Sequence, residues 1–328
     1  MNRPWKIVVA DAPYPDTQPI FDAFAKAGNC EVTLLPEGTS RVETFQVCKD
    51  ADAVLFAYFE VNEEFLSTLQ RCRVISRFGI GMNTIDIPAC TRHGIYVANV
   101  RTPQIRDVAN HALTFILACA KKLTISNEMV RHGIWSQDPV VPIYQLTNKV
   151  VGLVGFGQIA RQVAKRVVAC DMQVISYDPF VDEETMKQAG VRKVSMEELL
   201  ETADFVSLHL PYTKETEKTI NTAAFDRMKE TAYLINTARG GLVDEAAMIE
   251  ALREKKIAGV GIDVLVDEHP PADHPIFQFK NAIITPHAAW YSEECLRDLL
   301  TEASEQAIQA LRGGIPTNLV NVELAETK

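Results

Sequence analysis

Between Lys149 and Ala160 the chain reads Lys-Val-Val-Gly-Leu-Val-Gly-Phe-Gly-Gln-Ile-Ala, an apolar run that breaks into a glycine turn and then into a helical pattern. Residues 150–154 suit a parallel strand covered on both faces. Gly155 permits the tight turn out of that strand, Gly157 lets the backbone approach a pyrophosphate, and Ala160 keeps helix and strand close. Ile159, Val163 and Val167 recur every four positions, so one helical face is buried and the N–H groups and dipole at the helix start are aimed at the turn. A second strand, 173–177, ends at Asp178, 21 residues beyond Gly157, where a carboxylate can accept hydrogen bonds from a ribose diol. An acid there disfavours a 2′-phosphate, and no arginine stands beside it. NAD is therefore expected over NADP. The competing reading, a glycine turn in some other α/β domain, is weakened because strand, helix, second strand and acid all fall in register.

Around this unit the chain alternates strand and helix. Before it, segments 6–10, 31–35, 53–58, 73–77 and 96–100 read as strands and 21–27 as a helix, a doubly wound unit with no glycine fingerprint. Asp11-Ala-Pro-Tyr-Pro follows its first strand instead, so it is the candidate substrate domain. A long helical pattern, 106–123, leads to the fingerprint. Strands then recur at 205–209, 233–236, 259–262 and 282–285, and a last helix, 293–312, stops at Gly313-Gly314. The expected architecture is α/β with two doubly wound domains: a substrate domain of 1–100 plus 290–328, and a dinucleotide-binding domain of 101–289. The active site is expected at the carboxyl ends of parallel strands.

Composition narrows the function classes. With 328 residues, 47% hydrophobic and 23% charged, the chain is ordinary for a globular protein of about two domains. A formal net charge of −10 and no basic cluster argue against a nucleic-acid surface. The seven cysteines are scattered singly, with no metal-ligand spacing, which points to free thiols in a reducing compartment, the cytoplasm by default, and to no metal site. The most apolar helical run, 112–120, is too short for a bilayer, so no membrane association is expected.

Three polar residues follow late strands of the second unit: Arg239, Glu268 and His287. Reducing a 2-oxo acid needs a proton donor for the carbonyl oxygen, a cation to polarise that carbonyl and hold the carboxylate, and a partner that keeps the histidine protonated. His287, Arg239 and Glu268 meet those needs in turn. Each also has a plain reading: a core histidine, a surface salt bridge and a solvated loop acid, respectively.

The sequence resembles the D-isomer-specific 2-hydroxyacid dehydrogenases, a family that includes D-3-phosphoglycerate, D-lactate and formate dehydrogenases and the C-terminal-binding-protein corepressors. The matching blocks cover nearly the whole length: 73–86 with Arg77-Phe-Gly-Ile-Gly81, the fingerprint at 152–160, Val206-Ser-Leu-His-Leu-Pro-Tyr-Thr213 with Glu215-Thr216, Asn236-Thr-Ala-Arg-Gly-Gly-Leu-Val-Asp244, Gly261-Ile-Asp-Val-Leu-Val-Asp-Glu268 and Thr285-Pro-His287. The resemblance implies that Arg239 binds substrate, that Glu268 pairs with His287, and that His287 is the acid/base. It implies that backbone N–H groups of Gly79, Ile80 and Gly81, with Arg77 beside them, hold the substrate carboxylate. Cofactor contacts implied are Gly155, Gly157, Gln158, Ile159, Asp178, His209, Leu210, Pro211, Thr216, Thr237, Ala238, Arg239, Asp263 and His287. Asp263 would face the nicotinamide carboxamide; the alternative is a strand-end acid that caps backbone N–H groups.

Departures from the family pattern bear on substrate. The usual Phe and Pro around the glutamate are replaced, and His287 is followed by Ala288, Ala289, Trp290, Tyr291 and Ser292, a run similar to the corepressor branch. Trp290 is expected to pack against the side chain of an apolar or aromatic 2-oxo acid. Glu268 speaks against a formate dehydrogenase, where glutamine pairs with the histidine. The residues and the resemblance together lead to the expectation of an NAD-dependent D-2-hydroxyacid dehydrogenase working as a homodimer on a small 2-oxo or 2-hydroxy acid. An NAD(H)-sensing, corepressor-like binding protein and a D-3-phosphoglycerate dehydrogenase are the alternatives.

Overall fold

The computed structural model describes residues 3–326. The chain divides into two compact units, one built from the segment up to Gln104 and the segment from Ser292 onward, the other from Ile105–Tyr291. The first carries a parallel sheet of β1 (Trp5–Val9), β2 (Cys30–Leu34), β3 (Ala53–Phe56), β4 (Val74–Arg77) and β5 (Tyr96–Ala98), ordered β2-β1-β3-β4-β5. That is the flavodoxin-like order. All four residues of β3 are buried, as a central parallel strand covered on both faces requires. The helix Glu293–Leu311 starts at a Ser292 side-chain cap and packs on β4, where the Ser76 hydroxyl donates to the Ala303 carbonyl at 2.8 Å. Beyond it, the Asn321 side chain accepts from the Val97 N–H at 2.8 Å and donates to the Ile95 carbonyl at 2.9 Å, which covers the β5 edge.

The second unit carries seven parallel strands: β6 (Val150–Val154), β7 (Gln173–Tyr177), β8 (Arg192–Lys193), β9 (Phe205–Leu208), β10 (Tyr233–Asn236), β11 (Gly259–Ile262) and β12 (Ala282–Ile284). Their order, β12-β11-β10-β9-β6-β7-β8, reverses direction at β6/β9. This is the doubly wound dinucleotide-binding topology, and its switch point lies beside the glycine turn. Separate apolar clusters cover the two faces of the sheet, one around Leu199, Phe225 and Leu252, the other around Phe115, Phe156 and Val163.

One expected element is corrected. The helix read at 106–123 spans Gln104–Ala120, because Lys122 adopts a left-handed backbone with φ 48° and the chain restarts as a separate helix, Leu123–Arg131. No residue of that second helix is buried. Leu123, Ile125, Met129 and Val130 nonetheless share one of its faces, opposite Thr124, Glu128 and Arg131, so the segment is amphipathic although it meets no core. An irregular arm, interrupted only by the 3₁₀ turn Asp138–Val140, then runs to β6. Among the described residues no helix is long and apolar enough to cross a membrane.

Candidate active site

The glycine turn is built by closeness on one side and openness on the other. Gly155 has φ 93°, and a Cβ there would stand 2.8 Å from the His209 carbonyl oxygen, so only glycine fits. A Cβ on Gly157 would meet nothing within 4 Å. Gly157 also begins the helix Gln158–Val168, whose amino end no side chain caps. Its first N–H groups, including those of Gln158 and Ile159, therefore face an open approach suited to an anion. Asp178 closes the far side: its carboxylate accepts from the Phe156 N–H and from the Phe180 N–H, each at 2.8 Å.

The loop after β9 packs against this turn. His209 donates its backbone N–H to Val154, and its Nε2 lies 2.9 Å from the Ser207 hydroxyl. Burial pushes the imidazole pKa down to about 4, so the ring is neutral at physiological pH. The Thr216 hydroxyl donates to the Pro211 carbonyl at 2.7 Å and accepts from the Thr213 N–H, which holds the stretch beyond Leu210 in place. After β10, the buried hydroxyl of Thr237 has no protein partner. Such a group is satisfied by a ligand or water.

The catalytic candidates follow β10, β11 and β12. His287 Nδ1 lies 2.8 Å from Glu268 Oε2, with both side chains partly exposed. The His287 hydrogen bond, helped by the nearby Arg239 charge, holds the Glu268 carboxyl below the usual carboxylate range. Arg239 is steadied by an Nη1 hydrogen bond to the Ala238 carbonyl at 2.7 Å, and its own carbonyl accepts from the Asn236 side chain at 2.9 Å. The half-buried Trp290 packs edge-to-face on Tyr291, with ring centroids 5.5 Å apart. Asp263 is buried, and its carboxylate accepts from the N–H groups of Ala288 and Ala289, each at 2.9 Å, and from the Thr285 hydroxyl. An ionised carboxylate offers about four acceptor positions, and this chain fills three of them.

In the first unit, the loop 79–81 follows β4 directly. The Gly79 carbonyl accepts from the Val100 N–H at 3.2 Å and the Ile80 carbonyl from the Asn99 side chain at 3.0 Å. Both carbonyls are thus tied back to the end of β5. The Arg77 guanidinium lies against the same loop, with Nη1 3.0 Å from where a Cβ on Gly79 would stand. Among the described residues no group of three His, Cys, Asp or Glu side chains is spaced to hold a metal ion.

Residues 113–289 match the model of the D-isomer specific 2-hydroxyacid dehydrogenase, NAD binding domain. The chain belongs to that family. The second unit is thus its NAD-binding domain, and the open Gly157 face, the uncapped helix and the orphan Thr237 hydroxyl fit such a cofactor. Among relatives, the glyoxylate reductase of Korarchaeum cryptofilum is 35% identical over 284 residues, 85% of this chain and 86% of that protein. The D-3-phosphoglycerate dehydrogenase of Archaeoglobus fulgidus is 33% identical over 98% of this chain, but the chain spans only 60% of that protein's length. Among solved structures, the D-lactate dehydrogenase of Aquifex aeolicus, complexed with NAD and lactic acid, is 28% identical with a TM-score of 0.84, covering 98% of both chains.

Within the second unit, the structure brings His287, Glu268 and Arg239 together, and separately gathers Gly155, Gly157, Asp178 and His209 at the turn. Sequence reasoning missed His111, whose Nε2 lies 3.0 Å from the Thr285 hydroxyl. It sits 174 residues away on a helix, a relation that no local signal in the sequence carries.

Proposed function

We propose that this protein is an NAD-dependent D-2-hydroxyacid dehydrogenase, reducing a 2-oxo acid or oxidising the corresponding hydroxy acid. The observation that carries the reading is the 2.8 Å His287–Glu268 pair. A carboxylate can only accept, so Nδ1 carries the proton of that bond, and the proton exchanged with substrate is carried on Nε2. The nicotinamide, when bound, supplies the hydride chemistry. In reduction, His287 gives its Nε2 proton to the carbonyl oxygen while Glu268 steadies the imidazole; in oxidation, the same nitrogen takes the hydroxyl proton. Arg239 polarises the carbonyl and pairs with the substrate carboxylate. In the first unit, the N–H groups of Ile80 and Gly81 with Arg77 are suited to the carboxylate, since the Gly79 and Ile80 carbonyls are tied away; the Gly79 N–H donates to the Arg77 carbonyl at 3.0 Å, so Gly79 serves there by its open backbone rather than by its amide.

Gly155, Gly157, Gln158, Ile159, Asp178, His209, Leu210, Pro211, Thr216, Thr237, Ala238 and Asp263 are assigned to the dinucleotide. Trp290 is assigned to the substrate side chain and favours an apolar group over a phosphate. The arm after Arg131 supports a homodimer: it leaves Ile134, Val141, Ile143, Tyr144 and Trp135 exposed, Trp135 by 89%, and a second copy would cover them. Seven free cysteines support the cytoplasm. The test is His287→Ala, which is expected to lower kcat about a thousandfold while NADH binding, read by fluorescence, stays near that of the unaltered protein. Unchanged turnover would remove His287 from the reaction.

A further inference from the structure

His287 carries a non-glycine residue in the left-handed region, with φ 51°. Such a backbone costs on the order of 1 kcal/mol or more and persists only where its surroundings fix it. Asp263 does most of the fixing here, with the Thr285 carbonyl also accepting from the His287 N–H at 3.1 Å. The His287 N–H donates to the Asp263 carbonyl at 2.8 Å, and the next two N–H groups, of Ala288 and Ala289, donate to the Asp263 carboxylate at 2.9 Å each. Three successive amides are folded around a single aspartate. The orientation of the His287 ring toward Glu268 is therefore set by where that carboxylate is held.

The Thr285 hydroxyl donates to Asp263 Oδ1 as well. A hydroxyl has one proton, and the carboxylate can only accept, so that proton is spent on Asp263. At the Thr285 oxygen the remaining contact is His111 Nε2, at 3.0 Å, and by elimination His111 must be the donor. This also fixes the His111 tautomer: Nε2 carries a proton. The imidazole is held over this spot by an edge-to-face contact with Phe115, ring centroids 4.6 Å apart, one turn later on the helix Gln104–Ala120. Phe115 in turn lies where a Cβ on Gly261 would stand 2.8 Å away, so the glycine in β11 lets this helix come close enough for His111 to reach β12's end.

We propose that His111 is a positioning residue for His287: a fixed donor that polarises the Thr285 hydroxyl and thereby anchors the Asp263 carboxylate around which the 287–289 backbone is folded. The proposal rests on the assignment of His287 as the acid/base. It does not place His111 against substrate. A donated bond strengthens the hydroxyl as a donor in its turn, so the chain His111 to Thr285 to Asp263 acts as one unit rather than as separate contacts.

The experiment reads kcat/KM together with backbone amide exchange at Ala288 and Ala289 in the full-length protein. His111→Leu is expected to lower kcat/KM about tenfold and to speed exchange at both amides by a similar factor. His111→Gln, whose amide nitrogen can stand in for Nε2, is expected to bring both back to within about threefold of the unaltered protein. Thr285→Val, close in shape, is expected to reproduce the loss, and adding His111→Leu to it should cost nothing more. An undiminished penalty in the Thr285→Val background, or exchange at Ala288 and Ala289 unchanged by either substitution, overturns the proposal. Should His111→Leu fail to fold, as judged by exchange in β11, the Thr285→Val and His111→Gln results decide. Exchange is read without turnover, so a protein inactive on every acid tried would count against the dehydrogenase reading while the amides still judged the clamp.

Discussion

The two units share a parallel doubly wound plan, yet the turn after the first strand of each does opposite work. In the second unit β6 runs into Gly155 and Gly157, and the helix amino end beyond them is left uncapped. In the first, β1 runs toward Asp11, whose carboxylate turns back and accepts from the N–H groups of Ala57 and Tyr58 just beyond β3. One turn keeps its amides open to a diffusible anion. The other supplies the anion from its own chain. Architecture sets where a ligand can approach, and the residue after the strand decides whether one is needed.

Substitutions at these turns sharpen the contrast, the largest effect first. Gly155→Val is expected to cost roughly 3–4 kcal/mol of stability and to abolish NADH binding, because its Cβ would press on the His209 carbonyl in a conformation that side chains avoid. Thermal melting and NADH titration check both. Retained binding would mean that the turn tolerates what its geometry forbids.

Acid should separate the units. Burial lowers the folded-state pKa of His209 to about 4 from 6.5, so the unfolded chain binds the proton more readily. The stability this represents, up to about 3 kcal/mol, is present above pH 6.5 and drains away as pH falls toward 4. Asp11 has the opposite sign: burial raises its pKa, so it takes up a proton more readily in the fold than in the unfolded chain and acidification there is relatively stabilising. Amide exchange at pH 7 and pH 5 should show β9 loosening more than β3, and His209→Gln should flatten the difference.

Smaller effects belong to the open side. Gly157→Val should raise the NADH dissociation constant about a hundredfold with melting nearly unchanged, since its side chain would enter empty space rather than the core. Asp178→Ala should weaken NADH about tenfold and narrow the preference over NADPH, while loosening the Phe156 turn that its carboxylate caps.

Much of this was legible in the sequence because the signals were local. Strands 150–154, 173–177, 233–236 and 259–262 lie where their apolar runs place them. The helix Leu123–Arg131 and the two-residue β8 lie outside the expected elements, the first although Leu123, Ile125, Met129 and Val130 share a face, the second because two residues carry no period. The NAD-binding fold was visible from the spacing of Gly155, Gly157 and Asp178. The pairing of Glu268 with His287 came from chemistry and resemblance, and the two side chains stand in hydrogen-bond contact. What the sequence could not show was how the left-handed His287 is held. That depends on Asp263 gathering three amides and on His111 reaching in from a distant helix, relations that exist only once β11 and β12 are paired.

The most direct test is NADH oxidation by the purified protein against glyoxylate, pyruvate, hydroxypyruvate, 2-oxoglutarate, phosphohydroxypyruvate, phenylpyruvate and a thiomethyl-oxobutyrate, each repeated with NADPH and with the His287→Ala variant. Turnover with NADH on at least one acid with an uncharged side chain is predicted, together with poor use of NADPH and loss of that turnover in the variant. NADH binding with no turnover on any acid, or turnover that survives His287→Ala, would contradict the assignment of a dehydrogenase with His287 as its acid/base.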